Sequence, residues 1–421
     1  MTAAESAERE SAPDQATAFR TPWAAIALLI AIGISAAAQL GKIPPLAETL
    51  GVELGLSLVT IGWAMSVITL VSVVFGLSAG SLLGRIAMKK GLLVALALGT
   101  AASFAGAFVS SGSGLLAVRA VEGIGYLVIT IACPALIAFN AAGRDRALAL
   151  ALWGCFVATG LALMNQLAPL ILALDSWRSV FLAGAAMQAA GFAGLLAVSL
   201  EEPVRSEPPR LSRLPTRLLA EHRLAFANPA AVGVAAAFFC FAFLHVGFLS
   251  FLPLFLREST GMSAGSAGTA AAAVALIYIP GALVAARAMR RPETGIRVAI
   301  GGFVVIGASA AVIYGGATPA AGIVGASLLL GFAGGICGSV CFGLIPLSTP
   351  VPDQLRLANG LLAQFGSLAV LVAAPVLAFL VDRGPAANDW AASIPVFAGG
   401  SLVAALLLWR LRQKILSAAN P

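Results

Sequence analysis

The stretch that decides the fold is 115-LLAVRAVEGIGYLVITIACP-134. It is long and apolar enough to cross a bilayer as one helix, yet it contains Arg119 and Glu122. A charge at the centre of a membrane helix costs about 2.5–3.5 kcal/mol on insertion scales, and the two side chains, three residues apart, can pair on one helix face. The stretch predicts a membrane helix that lines a polar pathway. The alternatives are a position in the headgroup region or a purely structural clamp.

The composition extends this interpretation to the whole chain. Of its 421 residues, 60% are hydrophobic and 10% are charged, whereas soluble domains are about a quarter charged. Its 45 glycines favour close helix packing in lipid. We therefore predict an all-α integral membrane protein. No P-loop, metal-ligand cluster or Ser-His-Asp arrangement is recognisable, so we expect neither an enzyme nor a bound metal or cofactor.

Apolar runs of about 20 residues predict twelve transmembrane helices. Six lie in the first half, at 22–41, 57–82, 92–110, 114–138, 147–172 and 178–199. Six lie in the second half, at 229–255, 265–287, 297–315, 319–346, 357–381 and 390–411. The predicted domains are an N-terminal tail 1–21, a six-helix bundle 22–199, a proline-rich linker 200–228, a second six-helix bundle 229–411 and a C-terminal tail 412–421.

The basic residues predict the orientation. By the positive-inside rule, the loops of one side collect most of them, such as Lys89, Lys90, Arg144, Arg146, Arg290 and Arg291. The other side receives only Lys42, Arg178, Arg257 and Arg383. We expect both termini in the cytoplasm, a bacterial-type inner (plasma) membrane, and a net charge of +7 that reflects topology and not nucleic-acid binding.

The two halves echo each other. Pro134 and Gly154 are spaced like Pro346 and Gly366, and the same offset takes Glu122 to Gly334. We interpret this as two six-helix repeats whose ionic function is concentrated in the first.

A loop rich in glycine and basic residues follows the second span and reads 80-GSLLGRIAMKKG-91. It resembles the signature loop of the major facilitator superfamily (MFS), in which a glycine precedes an aspartate-arginine pair and further basic residues. Gly80, Arg85, Lys89 and Lys90 match, while Gly84 stands where aspartate is usual. The resemblance implies a gating loop between helices two and three, without the usual acidic partner of an ionic latch.

A second motif, 119-RAVEGIG-125, resembles the one that proton-coupled members carry on helix four. The span count, topology and linker are also similar to this superfamily, which implies two bundles around a central site, secondary transport and a monomer. Gly154, Gly160 and Pro169 match its exporter signature poorly. Within the superfamily, one candidate subfamily is similar to the cyanate and nitroimidazole transporters.

Polar residues within the spans are candidates for substrate binding or coupling. His245 is the only histidine in a predicted span and titrates near physiological pH, so it could carry a coupling proton, bind substrate or simply pack. Tyr126 lies on nearly the same side of the fourth helix as Glu122. Gln39, Asn165 and Gln364 could bind substrate or form helix–helix hydrogen bonds, and Gln39 and Gln364 are favoured because the first and eleventh helices of this fold approach the cavity.

These residues predict alternating-access transport of a small organic solute. Arg119 offers a fixed positive charge to an anion, and Glu122 can neutralise it or release it when protonated, so we predict an anionic solute and coupling to a proton gradient. One alternative is efflux of an apolar or cationic compound through aromatics such as Phe238, Phe239, Phe241 and Phe248. Another is a membrane sensor or scaffold that binds ligand without transport.

Overall fold

Helices make up the fold in this computed structural model, which describes residues 20–83, 87–202, 214–349, 352–383 and 389–419. The first half contains α1 (Trp23–Gly41), α2 (Ala47–Glu53), α3 (Leu58–Ser66), α4 (Leu70–Leu83), α5 (Met88–Gly106), α6 (Gly112–Asn140), α7 (Gly143–Gly154), α8 (Phe156–Leu174) and α9 (Trp177–Ala197). The second half contains α11 (Pro229–Thr260), α12 (Ala264–Leu276), α13 (Tyr278–Ala288), α14 (Pro292–Tyr314), α15 (Ala320–Ser348), α16 (Pro352–Asp382) and α17 (Ile394–Ala419). Between the halves lies α10 (Leu214–Phe226).

Twelve of these segments are long and apolar enough to cross a membrane, which confirms the predicted all-α membrane fold. Three predicted spans are each built from two helices: α3 continues through a short 3-10 turn into α4, α7 is followed by α8, and α12 is followed by α13. The first span was predicted to end at residue 41, but it continues through α2 to Glu53. The linker was predicted from its prolines and polar residues alone, and the structure adds the helix α10 to it.

Polar side chains mark several helix starts. Ser57, Ser111 and Ser263 accept hydrogen bonds from backbone N–H groups at the beginnings of α3, α6 and α12. Asn228 does the same for α11, whose first residue is Pro229. These caps satisfy N–H groups that have no partner inside a helix, so the sequence fixes where each span leaves the loop that precedes it.

An even number of spans places both ends of the described chain on one face of the bundle. We call this the terminus face; it includes Arg20, Ala142, Asn228 and Arg291. The opposite far face includes the loops around Gly55, Ser111, Ser176 and Gly261. Because α6 begins on the far face, Arg119 and Glu122 lie below that face and towards the middle of the bundle.

Small residues let the helices approach closely. A Cβ atom at Gly123 of α6 would lie 2.3 Å from the carbonyl oxygen of Ile68, and one at Gly281 of α13 would lie 2.1 Å from that of Phe332. Even the single methyl group of an alanine at either position would force the neighbouring backbone to move. The abundant glycine therefore has the packing role that the composition predicts.

The halves contact each other at two main helix interfaces. In the first, α16 packs against α3 and α4, and a Cβ atom at Gly62 would lie 2.9 Å from the carbonyl of Ala374. In the second, α12 packs against α8, with Gly268 directly beside the carbonyl of Asn165. These contacts enclose the space between the halves on two sides.

Candidate functional site

The charged pair predicted on the fourth span forms in the interior of the first half. Nη1 of Arg119 is 2.6 Å from Oε2 of Glu122, and both side chains are almost completely buried. Glu122 lies about 15 Å along the helix axis from Gly112, at 1.5 Å per residue. In a hydrocarbon core about 30 Å thick, that depth is near the middle, which disfavours a position in the headgroup region.

A second cation meets the same carboxylate. Nζ of Lys42 is 2.5 Å from Oε1 of Glu122, and the lysine side chain has no solvent exposure. The same ammonium donates to Oε1 of Gln39 at 2.7 Å and to Oγ of Ser103 at 2.9 Å, and it lies 4.1 Å from the ring centre of Phe181. Each carboxylate oxygen of Glu122 thus pairs with a different cation. We call Lys42, Arg119 and Glu122 the buried triad.

Arg119 also joins three helices. Its Nε donates to the carbonyl of Ala64 in α3 at 2.9 Å, and Nη1 donates to the carbonyl of Gln39 in α1 at 2.6 Å. Nη2 is buried, and no described residue accepts a hydrogen bond from it. A clamp of α1, α3 and α6 is therefore part of its role, and its donor capacity is not fully used.

The triad carries a net charge of +1, because two cations surround one carboxylate. A charge buried this way is strongly destabilising unless it is paired and hydrogen-bonded. The contacts of Lys42 with Gln39 and Ser103 supply part of that compensation. A protein keeps such an arrangement in a membrane interior chiefly where it serves a function.

Gln39 and Tyr126, both predicted from the sequence, lie at the triad. Nε2 of Gln39 donates to the carbonyl of Gly184 at 2.9 Å, while its Oε1 accepts from Lys42. Tyr126 lies one turn further along α6 and lines a small pocket together with Gln39, Glu122 and Gln188. The triad is thus flanked by polar groups from α1, α6 and α9.

Asn165 lies instead between the two halves. It lines a pocket with Leu40, Ser66 and Leu161 of the first half and with Val246 and Ser250 of the second. Nδ2 of Asn165 donates to the carbonyl of Leu161 at 3.0 Å, and Oδ1 is buried without a hydrogen-bond partner in the part of the chain that the structure describes. We call this the inter-half pocket. None of the triad residues lines it, although Leu40 is next to Gln39 in the chain.

His245 is buried in the second half, apart from the triad. Its ring stacks on Phe241 with centroids 5.4 Å apart and lies 5.5 Å from the ring of Tyr278. Within the described residues, Nδ1 has no hydrogen-bond partner. Gly334 leaves room for the imidazole, since a Cβ atom there would lie 2.3 Å from Nδ1. Gly334 is the residue that the repeat offset aligns with Glu122, so the histidine ring packs on the position that corresponds to the carboxylate.

Gln364 connects the halves. Nε2 donates across the interface to the carbonyl of Val73 in α4 at 2.8 Å, and Oε1 is buried without a partner. A neighbouring bond joins Oγ1 of Thr69 to the carbonyl of Ser367 at 3.2 Å. Gln364 thus takes part in the contact of α4 with α16 and lies outside the triad.

The predicted gating loop is only partly described. Gly80 lies within α4, whereas Gly84 and Arg85 lie outside the described residues. Nζ of Lys89 donates to the carbonyl of Val198 at 2.5 Å, and Lys90 is exposed. The carboxylate of Glu202 accepts from the backbone N–H groups of Met88 and Lys89. The start of α5 is therefore held by the segment that follows α9.

The sequence profile of the Major Facilitator Superfamily matches residues 24–354. The chain belongs to this superfamily. No curated protein matches its sequence at a significant level. The motifs on α4 and α6 thus led to the correct family, as did the count of twelve spans.

Solved structures share this MFS fold. One is a bacterial homologue of the human lysosomal transporter Spinster in an inward-facing, unoccupied conformation, with a TM-score of 0.74 and 14% identity over 94% of this chain and 98% of the other. A D-xylose–proton symporter has a TM-score of 0.72 and 18% identity, covering 93% and 98%. The nucleoside transporter NupG also has a TM-score of 0.72 and 18% identity, over 91% of this chain and 98% of the other. At these identities the likeness shows the fold alone.

Lys42 is the residue of this MFS chain that the sequence analysis placed wrongly. It was assigned to the external loops, because it follows Gly41 at the end of an apolar run. In the structure it points into the first half and is completely buried. Two signals were available: Gln39 and Lys42 are three residues apart, and Lys42 is the only charge between Arg20 and Glu48.

The aromatic side chains of the efflux alternative are mostly core residues. Phe238, Phe241 and Phe248 are buried, whereas Phe239 is half-buried. Phe238 packs on Phe241 with ring centres 5.4 Å apart, and a Cβ atom at Gly366 would contact its ring at 2.5 Å. This packing holds the rings within the second half, so it does not favour an adaptable pocket formed by them.

Proposed function

We propose that this MFS protein is a secondary active transporter that moves a small anionic organic solute by alternating access, coupled to protons at Glu122. The observation that carries the proposal is the pairing of one deeply buried carboxylate with two cations, Lys42 and Arg119. The energy comes from a proton gradient, and no cofactor takes part. The protein that acts is a monomer in the lipid bilayer.

The charges of the triad connect the proton to the solute. With Glu122 ionised, the triad has a net charge of +1; when Glu122 is protonated, Lys42 and Arg119 remain as two buried cations. An uncompensated buried charge is costly, and a negatively charged solute nearby offsets that cost. Proton and anion therefore favour each other's binding, which is the requirement for coupled movement.

The inter-half pocket is the proposed position of the solute. Residues of this pocket adjoin groups that hold the triad: Leu40 follows Gln39, and Met65 follows Ala64, whose carbonyl binds Arg119. The positive charge therefore acts on the pocket from a short distance through a medium of low dielectric. The unpartnered Oδ1 of Asn165 provides an acceptor for a hydroxyl or N–H group of the same solute.

The orientation of the protein follows from its basic loops. Lys89, Lys90, Arg290 and Arg291 belong to the terminus face, so we assign this face to the cytoplasm of a bacterial-type cell. The solute then binds from either side of the inner membrane, as the halves rock about the contacts of α16 with α3 and α4. The related structures named for a proton symporter and a nucleoside transporter support this general scheme.

The test begins with purified protein in detergent and a panel of small carboxylates, neutral sugars and organic cations. A ligand present at about 100 times its dissociation constant stabilises the protein by about 2.7 kcal/mol, which raises the melting temperature. We expect carboxylates to stabilise the parent protein, and Arg119→Ala to remove this effect. Stabilisation by cations or apolar compounds alone would overturn the anionic part of the proposal.

Transport is then measured in proteoliposomes with the carboxylate identified by this screen. An imposed pH gradient should drive its accumulation in the parent protein and in Asp175→Asn, which alters an exposed carboxylate at the far face. Glu122→Gln should abolish accumulation, and so should the more stable double variant with Lys42→Met. If Glu122→Gln retains accumulation driven by the pH gradient, the proposed coupling role of Glu122 is wrong.

A further inference from the structure

A small pocket lies beside the triad, inside the first half and separate from the inter-half pocket. Helices α1, α5, α6 and α9 surround it, and its polar walls are Gln39, Glu122, Tyr126 and Gln188. Gly99 and Gly125 form part of its backbone wall. It has room for about one water molecule, which requires two to four polar partners. One lining residue is Glu122, the carboxylate that takes up the proton in the proposed function.

Gln188 gives this pocket an unused acceptor. The side chain is 2% exposed, and Oε1 has no hydrogen-bond partner among the described residues. A buried polar atom without a partner costs about 1–3 kcal/mol, so a donor in the pocket would stabilise the protein. A Cβ atom at Gly99 would lie 3.5 Å from this Oε1, which is ordinary contact, so the glycine keeps the space beside the amide open.

We propose that this pocket is a proton-access site: one water molecule held by Oε1 of Gln188 and the hydroxyl of Tyr126 passes the proton to Glu122. The proton thus reaches the triad within the first half, by a route that the solute does not share. This inference rests on the proposed function, because it supplies the path for the proton that Glu122 carries.

The surroundings of Glu122 allow a proton transfer through the water molecule in which protons and charge are conserved. An incoming proton joins the water as the water gives one of its own to a carboxylate oxygen, so the water ends neutral and Glu122 loses its charge. The charged or titratable groups that face the carboxylate are Lys42 from α1 and Arg119 and Tyr126 from α6. The described elements α5 and α9 face it with Ser103 and Gln188, which do not titrate.

Tyr126 marks the entrance. Towards the terminus face, the pocket is closed by an apolar cluster with members from all four helices, including Ile32, Leu92, Ile129 and Leu195. Protons do not cross such a layer without polar groups or water. Tyr126 packs at the edge of this cluster and is partly exposed, so the proposed route enters the pocket beside its phenol.

The test follows the protonation of Glu122 directly and needs no solute. The full-length protein in nanodiscs receives a rapid drop in pH, and time-resolved infrared absorption records the carboxylic-acid C=O band that Glu122→Gln removes. We expect Gln188→Leu to slow the appearance of this band at least tenfold, and the isosteric Tyr126→Phe to slow it as well. Ser401→Ala removes another buried hydroxyl without a partner, in the second half, and should leave the rate unchanged.

Two results would overturn different statements. If the band forms at the parental rate in both Gln188→Leu and Tyr126→Phe, the proton uses another route and this inference is wrong, while the proposed function stands. If the parent protein shows no band that depends on Glu122 between the two pH values, proton coupling at this residue fails and the inference fails with it.

Discussion

Glu122 is shared between Lys42 and Arg119, and removal of its charge leaves two buried cations without a counter-charge. Loss of one partner from a buried ion pair typically costs about 3–5 kcal/mol. We therefore expect Glu122→Gln to lower the free energy of unfolding by about this amount. Adding Lys42→Met should recover part of the loss, because only Arg119 then remains charged.

Thermal unfolding of the four proteins in one detergent forms the double-mutant cycle that isolates this coupling. The melting temperature of Glu122→Gln should be the lowest of the parent, the two single variants and the double variant. Additive effects of the two substitutions would contradict the triad, because independent sites do not rescue each other.

Two of the three triad residues were predictable from the sequence, for a physical reason. Arg119 and Glu122 lie within an apolar run, so their charges stand out and their spacing on a helix gives the contact. Lys42 lies where an apolar run ends, and its direction depends on how α1 packs against α5 and α9. The spacing from Gln39 and the isolation of Lys42 among apolar residues do not specify that packing, so the counting of basic loops assigned the residue to the outside.

Helix-to-helix spacing depends on particular glycines. Gly123 of α6 faces the carbonyl of Ile68, from which a Cβ atom would be separated by 2.3 Å. Gly123→Ala should therefore force α6 away from the second span and cost about 1–3 kcal/mol, as overpacking does. Since Gly123 adjoins Glu122, the same shift should weaken the contacts of the triad.

Gly301 of α14 is the matched control, because no atom of the described residues outside its own stretch of helix lies within 4 Å of a Cβ placed there. Gly301→Ala should be neutral or stabilise the helix by about 0.5–1 kcal/mol through its lower backbone entropy. Thermal unfolding compares the two variants. Equal melting temperatures would mean that the α6 contact tolerates an extra methyl group.

Prediction at the scale of elements succeeded where apolar length decides the outcome. The spans were found because each must satisfy its backbone hydrogen bonds inside a helix about 20 residues long. The helix α10 was not predicted, since its stability depends on contacts with α4, α11 and α16, which hydropathy does not record. Gln364 was predicted to bind substrate or to form a helix–helix hydrogen bond, but the sequence could not say which helix it contacts, because its bond to Val73 is set by the docking of the halves.

At the scale of the whole molecule, an ion pair joins the halves at the far face. Arg257 in the last turn of α11 lies 2.5 Å from Glu48 in the first turn of α2, and both side chains are partly exposed. The signature loop on the terminus face, in contrast, has Gly84 where an acidic latch residue is usual. This asymmetry predicts that the ion pair biases the protein towards closure at the far face.

Charge reversal tests this bias. Arg257→Glu replaces the attraction with repulsion between two carboxylates and should open the far face more often. An exposed pair contributes about 0.2–1 kcal/mol, so loss of the attraction alone should raise the open population about 1.4- to fivefold, and the added repulsion should raise it further. The reporter is the rate of maleimide labelling at Leu249→Cys, which lines the inter-half pocket, in a background with the five native cysteines replaced by alanine.

The exchanged pair, Glu48→Arg with Arg257→Glu, restores the attraction with its direction reversed. If the pair acts as a latch, labelling should return to the rate of the cysteine-substituted parent, because only the attraction between the charges matters. Faster labelling in the exchanged pair as well would mean that Arg257 supports the far face through other contacts. No change in Arg257→Glu alone would mean that packing of α16 against α3 and of α12 against α8 closes the far face without electrostatic help, and the latch would be refuted.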